Sequence, residues 1–227
     1  MPAVERPTET TASTRHRAVV FDLGGVVMPS PLDAFRAYEA RVGLPHRFLS
    51  EVVVRTGEEG AWSRLERGEV TMAEFSEAFE AECAAAGGAV VVADLFADVH
   101  AGSGPRPEML TAIERIRAAG LKTAALTNNW RPDESDETVG SRTPALADVF
   151  DVIVESAIEG LRKPDPRIYE LTCARLGVAP EAAVFLDDLG VNLKSARALG
   201  MTTIKVEDPA SALAELEAVL GFPLGAA

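Results

Sequence analysis

The chain has 227 residues, of which 47% are hydrophobic and 25% charged, and its formal net charge is −13. This excess of acidic residues disfavours binding to nucleic-acid backbones and to anionic membrane surfaces, so we expect neither as a partner. The sequence has no apolar run near the length that a membrane-spanning helix needs. The composition is therefore typical of a water-soluble globular protein.

The N-terminal segment 1–15 is rich in Thr, Ser, Pro and charged residues, which predicts a disordered leader. It lacks the apolar core of a secretory signal. Cys83 and Cys173 fall in helix-like segments, which favours free thiols in a reducing compartment, while the sequence alone leaves a disulfide open. We therefore expect a cytoplasmic protein.

The first predicted element is a strand, the apolar run 19–21. The segment 32–104 then lacks clear strand signals and is rich in Ala, Glu, Arg and Phe. Within it, Thr71 and Glu74 have the spacing of a capping box, which predicts that a helix begins between them. The run 90–92 is a possible strand, although a helix signal follows it directly. We interpret the whole segment as a helical insertion after the first strand.

From residue 105 onward, helix and strand signals alternate along the chain. Four more apolar runs predict strands, at 123–126, 152–154, 184–186 and 203–206. Helix signals separate them and end at Gly120, Gly177 and Gly200. Strands that are apolar on both faces are typical of a parallel sheet covered by helices. The sequence therefore predicts an α/β fold with a doubly wound parallel sheet, formed by 16–31 and 105–227.

Polar residues end or follow four of the predicted strands, namely Asp22, Thr127 with Asn128, Lys163, and Asp187 with Asp188. Because ligands bind at the carboxyl ends of parallel strands, we expect these side chains to lie together. Carboxylates are suited to binding Mg²⁺, and a lysine can offset the charge of a phosphate group. A carboxylate in such a cluster can attack phosphorus and form an aspartyl-phosphate.

Four short motifs, in this order, resemble those of the haloacid-dehalogenase (HAD) superfamily of hydrolases: DLGGV (22–26), LTN (126–128), KP (163–164) and LDD (186–188). The stretches LTNNW, RKPDPRIY and FLDDLGVNLKSARALG also resemble the N-terminal phosphatase domain of soluble epoxide hydrolases. The similarity runs from residue 17 to residue 224. It implies a HAD-like, Rossmannoid core, with the insertion 32–104 forming an α-helical cap over the active site.

The resemblance implies a nucleophile and a Mg²⁺ site. Asp22 matches the family's nucleophile, which is also a metal ligand. The backbone carbonyl of Gly24 is implied as a second ligand. Asp188 is implied as the direct ligand from the acidic pair, and Asp187 and Asn192 would support it.

The resemblance also implies a phosphate-binding set, which consists of Gly24, Gly25, Thr127, Asn128 and Lys163. The two glycines would expose backbone amides to the phosphate, and Thr127 and Asn128 would bind phosphoryl oxygens. Lys163, also implied as catalytic, would neutralise charge on the nucleophile and the phosphate. We therefore expect a small phosphorylated molecule as the partner, while the sequence does not define the oligomeric state.

One position departs from the family's pattern. Phosphatases of the family carry a second Asp two residues after the nucleophile, which protonates the leaving group and later activates water. This chain has Gly24 at that position. Because losing a general acid costs about 10²–10⁴-fold in rate, the sequence predicts slow turnover or a good leaving group, such as an aryl, acyl or anomeric phosphate.

The resulting expectation is a stand-alone, Mg²⁺-dependent phosphatase that hydrolyses a small organic phosphomonoester through a phosphorylated Asp22. Two alternatives stay open. In a metal-independent dehalogenase, Asp22 would attack carbon and need no second acid, although the acidic pair Asp187 and Asp188 argues against this reading. A catalytically impaired protein that binds a phosphorylated ligand would also be consistent with Gly24.

Overall fold

The structure is a computed structural model that describes residues 16–100, 104–131 and 146–225. The predicted leader, 1–15, lies outside the described residues. None of the helices within the described ranges has the length and apolar character needed to cross a membrane.

The described residues form one parallel sheet of five strands, which are β1 (Ala18–Phe21), β2 (Lys122–Thr127), β3 (Val152–Glu155), β4 (Ala183–Asp187) and β5 (Thr202–Lys205). Their order across the sheet is β3-β2-β1-β4-β5. In the register, Ala18 of β1 lies opposite Lys122 on one side and Ala183 on the other. Every residue of β1 and β4 is buried, as expected for central parallel strands covered on both faces.

Ten α-helices occur in the part of the chain that the structure describes. They are α1 (Pro31–Val42), α2 (Phe48–Thr56), α3 (Ala61–Glu66), α4 (Met72–Ala85), α5 (Val92–His100), α6 (Pro107–Ala118), α7 (Ser156–Glu159), α8 (Pro166–Leu176), α9 (Gly190–Ala198) and α10 (Pro209–Leu220). The three predicted helix ends are confirmed. Gly177 directly follows α8, and Gly120 and Gly200 follow α6 and α9 after one intervening residue.

Helices cover both faces of the sheet because successive residues of a strand point in opposite directions. Val19 and Phe21 of β1 pack in one hydrophobic cluster with residues of α6 and α10. Ala18 and Val20 pack in a second cluster with residues of α8 and α9. The predicted doubly wound α/β core is therefore confirmed.

Helices α1 to α5 build a separate hydrophobic cluster. Its centre is the indole of Trp62, whose ring centroid lies 5.0 Å from that of Phe35 and 5.6 Å from those of Phe75 and Phe79. Such contacts between aromatic edges and faces add to the hydrophobic stabilisation of a core. We propose on this basis that residues 32–104 form the cap.

Local signals in this segment were predicted with mixed success. The capping box is confirmed, because Thr71 Oγ1 accepts a hydrogen bond from Glu74 N at 3.2 Å and Glu74 Oε2 accepts one from Thr71 N at 2.8 Å. The possible strand at 90–92 is wrong, since α5 begins at Val92. The backbone amides that a strand would pair are bound by side chains instead: Val91 N donates to Tyr38 Oη and Val92 N donates to Glu80 Oε1.

Two isoleucines provide a matched test of where the core lies. Ile113 in α6 is fully buried, whereas Ile158 in α7 is 60% exposed. We expect Ile113→Ala to lower the free energy of unfolding by about 2–5 kcal/mol, because it leaves a cavity beside the sheet. Ile158→Ala should change it by less than about 0.5 kcal/mol. Urea denaturation followed by circular dichroism measures both, and equal losses would contradict this core.

Candidate active site

The carboxyl ends of the parallel strands bring the predicted site residues together. Asp22 follows β1, Thr127 ends β2 and Asp187 ends β4. Lys163 comes from the segment between α7 and α8. Because the strands are parallel and in register, these chain positions meet at one edge of the sheet despite their separation in sequence.

The centre of the site is a buried lysine between two carboxylates. Lys163 Nζ lies 2.8 Å from Asp22 Oδ1 and 2.8 Å from Asp187 Oδ2. All three residues are buried. Removing charges from water is costly, and this cost is offset only when close partners of opposite charge are held in good geometry.

Asp187 is held by further hydrogen bonds. Asn192 Nδ2, in the first turn of α9, lies 3.0 Å from both carboxylate oxygens of Asp187. Leu189 N donates to Asp187 Oδ1 at 2.8 Å. With Lys163 on its other oxygen, this carboxylate is occupied by protein donors, so its geometry suits support of the site better than direct contact with a ligand.

Three carboxylates form a candidate metal centre. The nearest oxygens of Asp22, Asp187 and Asp188 all lie within 4.8 Å of one another. Ser30 Oγ donates to Asp188 Oδ2 at 3.3 Å. Three acids against the one ammonium of Lys163 leave an excess of negative charge when all are ionised. This oxygen-rich donor set fits a hard divalent cation such as Mg²⁺.

The pKa values of the acidic groups follow from their burial and crowding. Burial raises the pKa of Asp22 to about 8, and the charges of Asp187 and Asp188 add to this, while Lys163 opposes it. Burial and the charge of Asp187 raise the pKa of Asp188 to about 6. For Lys163, burial favours the neutral amine, but the charges of Asp187 and Asp22 outweigh it and raise its pKa. The site therefore favours added positive charge.

Two glycines shape the loop after β1. Gly25 has φ +84°, and a methyl group at its Cα would overlap the carboxylate of Asp188. Gly24 has ordinary backbone geometry, but a Cβ there would lie 3.0 Å from Cδ of Pro31. The first residue of α1 therefore crowds the position where a second acid would be attached.

Three of the groups predicted to bind phosphate have protein partners in the structure: Gly25 N, the Thr127 hydroxyl and the Asn128 side chain. Gly25 N donates to Met28 O at 2.9 Å, and Thr127 Oγ1 lies 3.4 Å from Asn128 O. The Asn128 side chain binds the backbone of Lys163, with Oδ1 accepting from Lys163 N at 2.8 Å and Nδ2 donating to Lys163 O at 3.0 Å. Their phosphate-binding roles stay predictions, and those of Gly25 and Asn128 would require these bonds to change.

A cavity of about 930 Å³ opens above the candidate metal centre. Of the predicted site residues, its lining includes Asp22, Gly24, Asn128, Lys163 and Asp188. The other predicted site residues, Gly25, Thr127 and Asp187, are not part of its lining. The remaining wall is mixed, with apolar residues such as Leu32, Phe35, Val53, Trp62, Trp130 and Val191 and charged or polar ones such as Arg36, Glu39, His46, Arg47, Glu58 and Arg162. The cavity thus combines a charged floor with a partly apolar wall, an arrangement suited to a small organic ligand.

Three residues near the site were not predicted from the sequence. Ser30 contacts Asp188, as described above. Glu66, at the end of α3, binds Arg162 through Oε2 and Nε at 2.7 Å. The only sequence signal was the i, i+4 spacing of Trp62 and Glu66, which places them on one helix face and allows Trp62 Nε1 to donate to Glu66 Oε1 at 3.0 Å.

Comparison with known proteins identifies relatives along most of the chain. Acyl-CoA dehydrogenase family member 10 of Mus musculus is 43% identical over 212 residues, which cover 92% of this chain and 20% of that protein. Bifunctional epoxide hydrolase 2 of Sus scrofa is 36% identical over 220 residues, which cover 92% of this chain and 39% of that protein. The chain thus spans well under half the length of these two relatives. Phosphatases are also among its relatives.

The fold is shared with solved structures. A HAD family enzyme of Bacteroides thetaiotaomicron, crystallised with magnesium and inorganic phosphate, has a TM-score of 0.56 and 19% identity, with 85% of this chain and 96% of that chain covered. At this identity the likeness shows the fold. Residues 16–200 match the family described as haloacid dehalogenase-like hydrolase. The resemblance predicted from the four motifs is therefore confirmed, and the chain belongs to the haloacid dehalogenase-like hydrolases.

Proposed function

We propose that the chain is a Mg²⁺-dependent phosphatase that hydrolyses a small organic phosphomonoester through a phosphorylated Asp22. The observation that carries the proposal is the position of Asp22 at the floor of the cavity, beside the ammonium of Lys163 and within 4.8 Å of two further carboxylates. The phosphatases among its relatives support the same reaction class.

The proposed metal ligands are Asp22, Asp188 and the carbonyl of Gly24, with Asp187 in support. Asp22 and Asp188 line the cavity, whereas the oxygens of Asp187 are engaged by Lys163, Asn192 and Leu189 N. A bound Mg²⁺ would supply positive charge that offsets both these acids and the phosphate of the substrate.

Asp22 is oriented for attack by its own hydrogen bonds. Its Oδ1 accepts from Leu23 N at 2.7 Å and pairs with Lys163, whereas no residue in the described ranges donates to Oδ2. We assign the Asp22 carboxylate as the nucleophile. It forms a bond to phosphorus as the bond between phosphorus and the leaving-group oxygen breaks, and water then attacks phosphorus to release inorganic phosphate and restore the carboxylate. Lys163 and Thr127 would stabilise charge on the phosphoryl group.

Position 24 is glycine and offers no carboxyl group to protonate the leaving group, and Pro31 crowds the space beside it. Oxygens that leave readily as anions are therefore favoured, as in aryl, acyl and anomeric phosphates. The apolar part of the cavity wall, which includes Phe35, Trp62 and Trp130, can pack against an organic group on the phosphate. We therefore propose an organic monoester with an activated leaving group as the substrate.

The first test addresses the nucleophile and the metal. With p-nitrophenyl phosphate, we expect hydrolysis to require Mg²⁺, to stop with EDTA and to fall at least about 10³-fold in Asp22→Asn, because the amide cannot act as the nucleophile. Asp148→Asn is the matched control, since Asp148 is exposed and does not line the cavity.

Turnover that survives both EDTA and Asp22→Asn would contradict the mechanism. Release of halide from 2-haloacids without added metal would instead favour the dehalogenase alternative. Recovery of an intact phosphorylated ligand bound with Mg²⁺ would favour the binding-protein alternative.

The second test addresses the close approach of Gly25 to Asp188. We expect Gly25→Ala to weaken Mg²⁺ binding, measured by calorimetry, by about tenfold or more, because the added methyl group displaces an oxygen ligand. Gly120→Ala is the control, since Gly120 has the same φ of +84° but no atom within 4 Å of an added Cβ. It should cost stability and leave Mg²⁺ affinity intact. Equal Mg²⁺ affinity in the two variants would contradict the assignment of Asp188 as a metal ligand.

The third test addresses the missing acid. Gly24→Asp alone should raise kcat little for an alkyl phosphate, because its Cβ is crowded by Pro31. Combined with Pro31→Ala, it should raise kcat by up to about 10²-fold, since the new carboxyl can then reach the leaving group. Pro31→Ala alone is the control. If the double variant gains nothing over the two single variants, the site lacks more than a general acid.

A further inference from the structure

Glu66 connects the helical segment 32–104 to the sheet edge that carries the site. Its carboxylate is nearly buried and faces three hydrogen-bond donors. Oε1 accepts from Trp62 Nε1 at 3.0 Å, and Oε2 accepts from Arg162 Nε at 2.7 Å and from Asn128 Nδ2 at 3.3 Å. One donor lies on its own helix, whereas Asn128 directly follows β2 and Arg162 lies between α7 and α8.

Asn128 continues this connection to the catalytic lysine. Its side-chain amide binds the backbone of Lys163 on both sides, through Lys163 N and Lys163 O. The amide can hold this orientation only while Nδ2 faces acceptors, and within the described part of the chain those are Lys163 O and Glu66 Oε2. Glu66 therefore satisfies the second Nδ2 hydrogen and opposes rotation of the amide.

The chemistry of position 66 calls for a carboxylate. All three neighbours donate hydrogen bonds, and both carboxylate oxygens can accept. A glutamine would turn an NH₂ group either toward Trp62, where one donor would lose its acceptor, or toward Arg162 and Asn128, where two donors would lose theirs. An ion pair without a further role would not need Asn128 among its partners.

We infer that Glu66 is a positioning residue, which holds the Asn128 amide and through it the Lys163 segment, so that docking of the helical segment on the core completes the site. The inference rests on the proposed function for its kinetic consequence. Its geometric basis is the continuous path from Glu66 through Asn128 to the backbone of Lys163, whose Nζ contacts Asp22.

The kinetic test compares two glutamates that each pair with an arginine. Glu66→Gln should lower kcat for p-nitrophenyl phosphate about tenfold with little change in KM, because small misplacements of catalytic groups slow the chemical step. Glu159→Gln is the matched control, since Glu159 pairs with Arg175 at 2.7 Å and is 16% exposed at its side chain, close to the 10% of Glu66. It should leave kcat unchanged.

A double-mutant cycle separates positioning from general stability. If Glu66 acts through Asn128, Glu66→Gln should cost nothing further in an Asn128→Ala background. Measurements are made well below the melting temperature of each variant, so that all are folded. The same loss of kcat in both backgrounds, or no loss in either, would overturn the inference.

Amide hydrogen exchange tests the same path without turnover. The backbone N–H of Lys163 donates to Asn128 Oδ1, so Glu66→Gln should speed its exchange about tenfold as local opening becomes easier. Glu159→Gln should leave that exchange unchanged. If the wild-type chain hydrolyses no phosphomonoester, the proposed function fails while this measurement still decides the role of Glu66. An unchanged rate for Lys163 in Glu66→Gln would overturn it.

Discussion

The site depends on one buried cation, the ammonium of Lys163, held 2.8 Å from both Asp22 and Asp187. Without it, carboxylates from two neighbouring strands would face each other away from water, where ionising both is strongly unfavourable. The two carboxylates that the lysine pairs with differ in their other contacts. Asp187 is further bound by Asn192 and Leu189 N, whereas Asp22 lines the cavity. One group is thus part of the scaffold and the other is available for chemistry.

The sheet could be predicted from the sequence because its central strands are buried on both faces and therefore appear as short continuous apolar runs. The capping box at Thr71 was equally local, since its two partners are three residues apart. The run 90–92 was ambiguous because a short apolar segment fits a buried helix as well as a strand. Only tertiary packing, with Tyr38 and Glu80 binding its amides, decides between them.

The strand-end acids and the lysine could be located from the sequence, because topology alone brings the ends of parallel strands together. Their individual hydrogen bonds could not. Glu66 and Arg162 are 96 residues apart, and no local pattern links them. The engagement of Gly25 N by Met28 O and of Asn128 by Lys163 likewise follows from loop conformation. Sequence motifs therefore predict which residues lie at this site better than they predict the hydrogen bonds and the role of each residue.

The strand order has a consequence for how the protein is made. β1 leaves the ribosome before its two neighbours in the sheet, β2 and β4, which begin at Lys122 and Ala183. Until both have been synthesised, β1 has at least one open edge, and Lys163 lacks Asp187, the second of its two carboxylate partners. Contacts between distant chain positions also carry a loop-closure cost before they stabilise anything. A nascent chain that stops before Ala183 is therefore both unstable and inactive, and its apolar first strand is a natural target for chaperones.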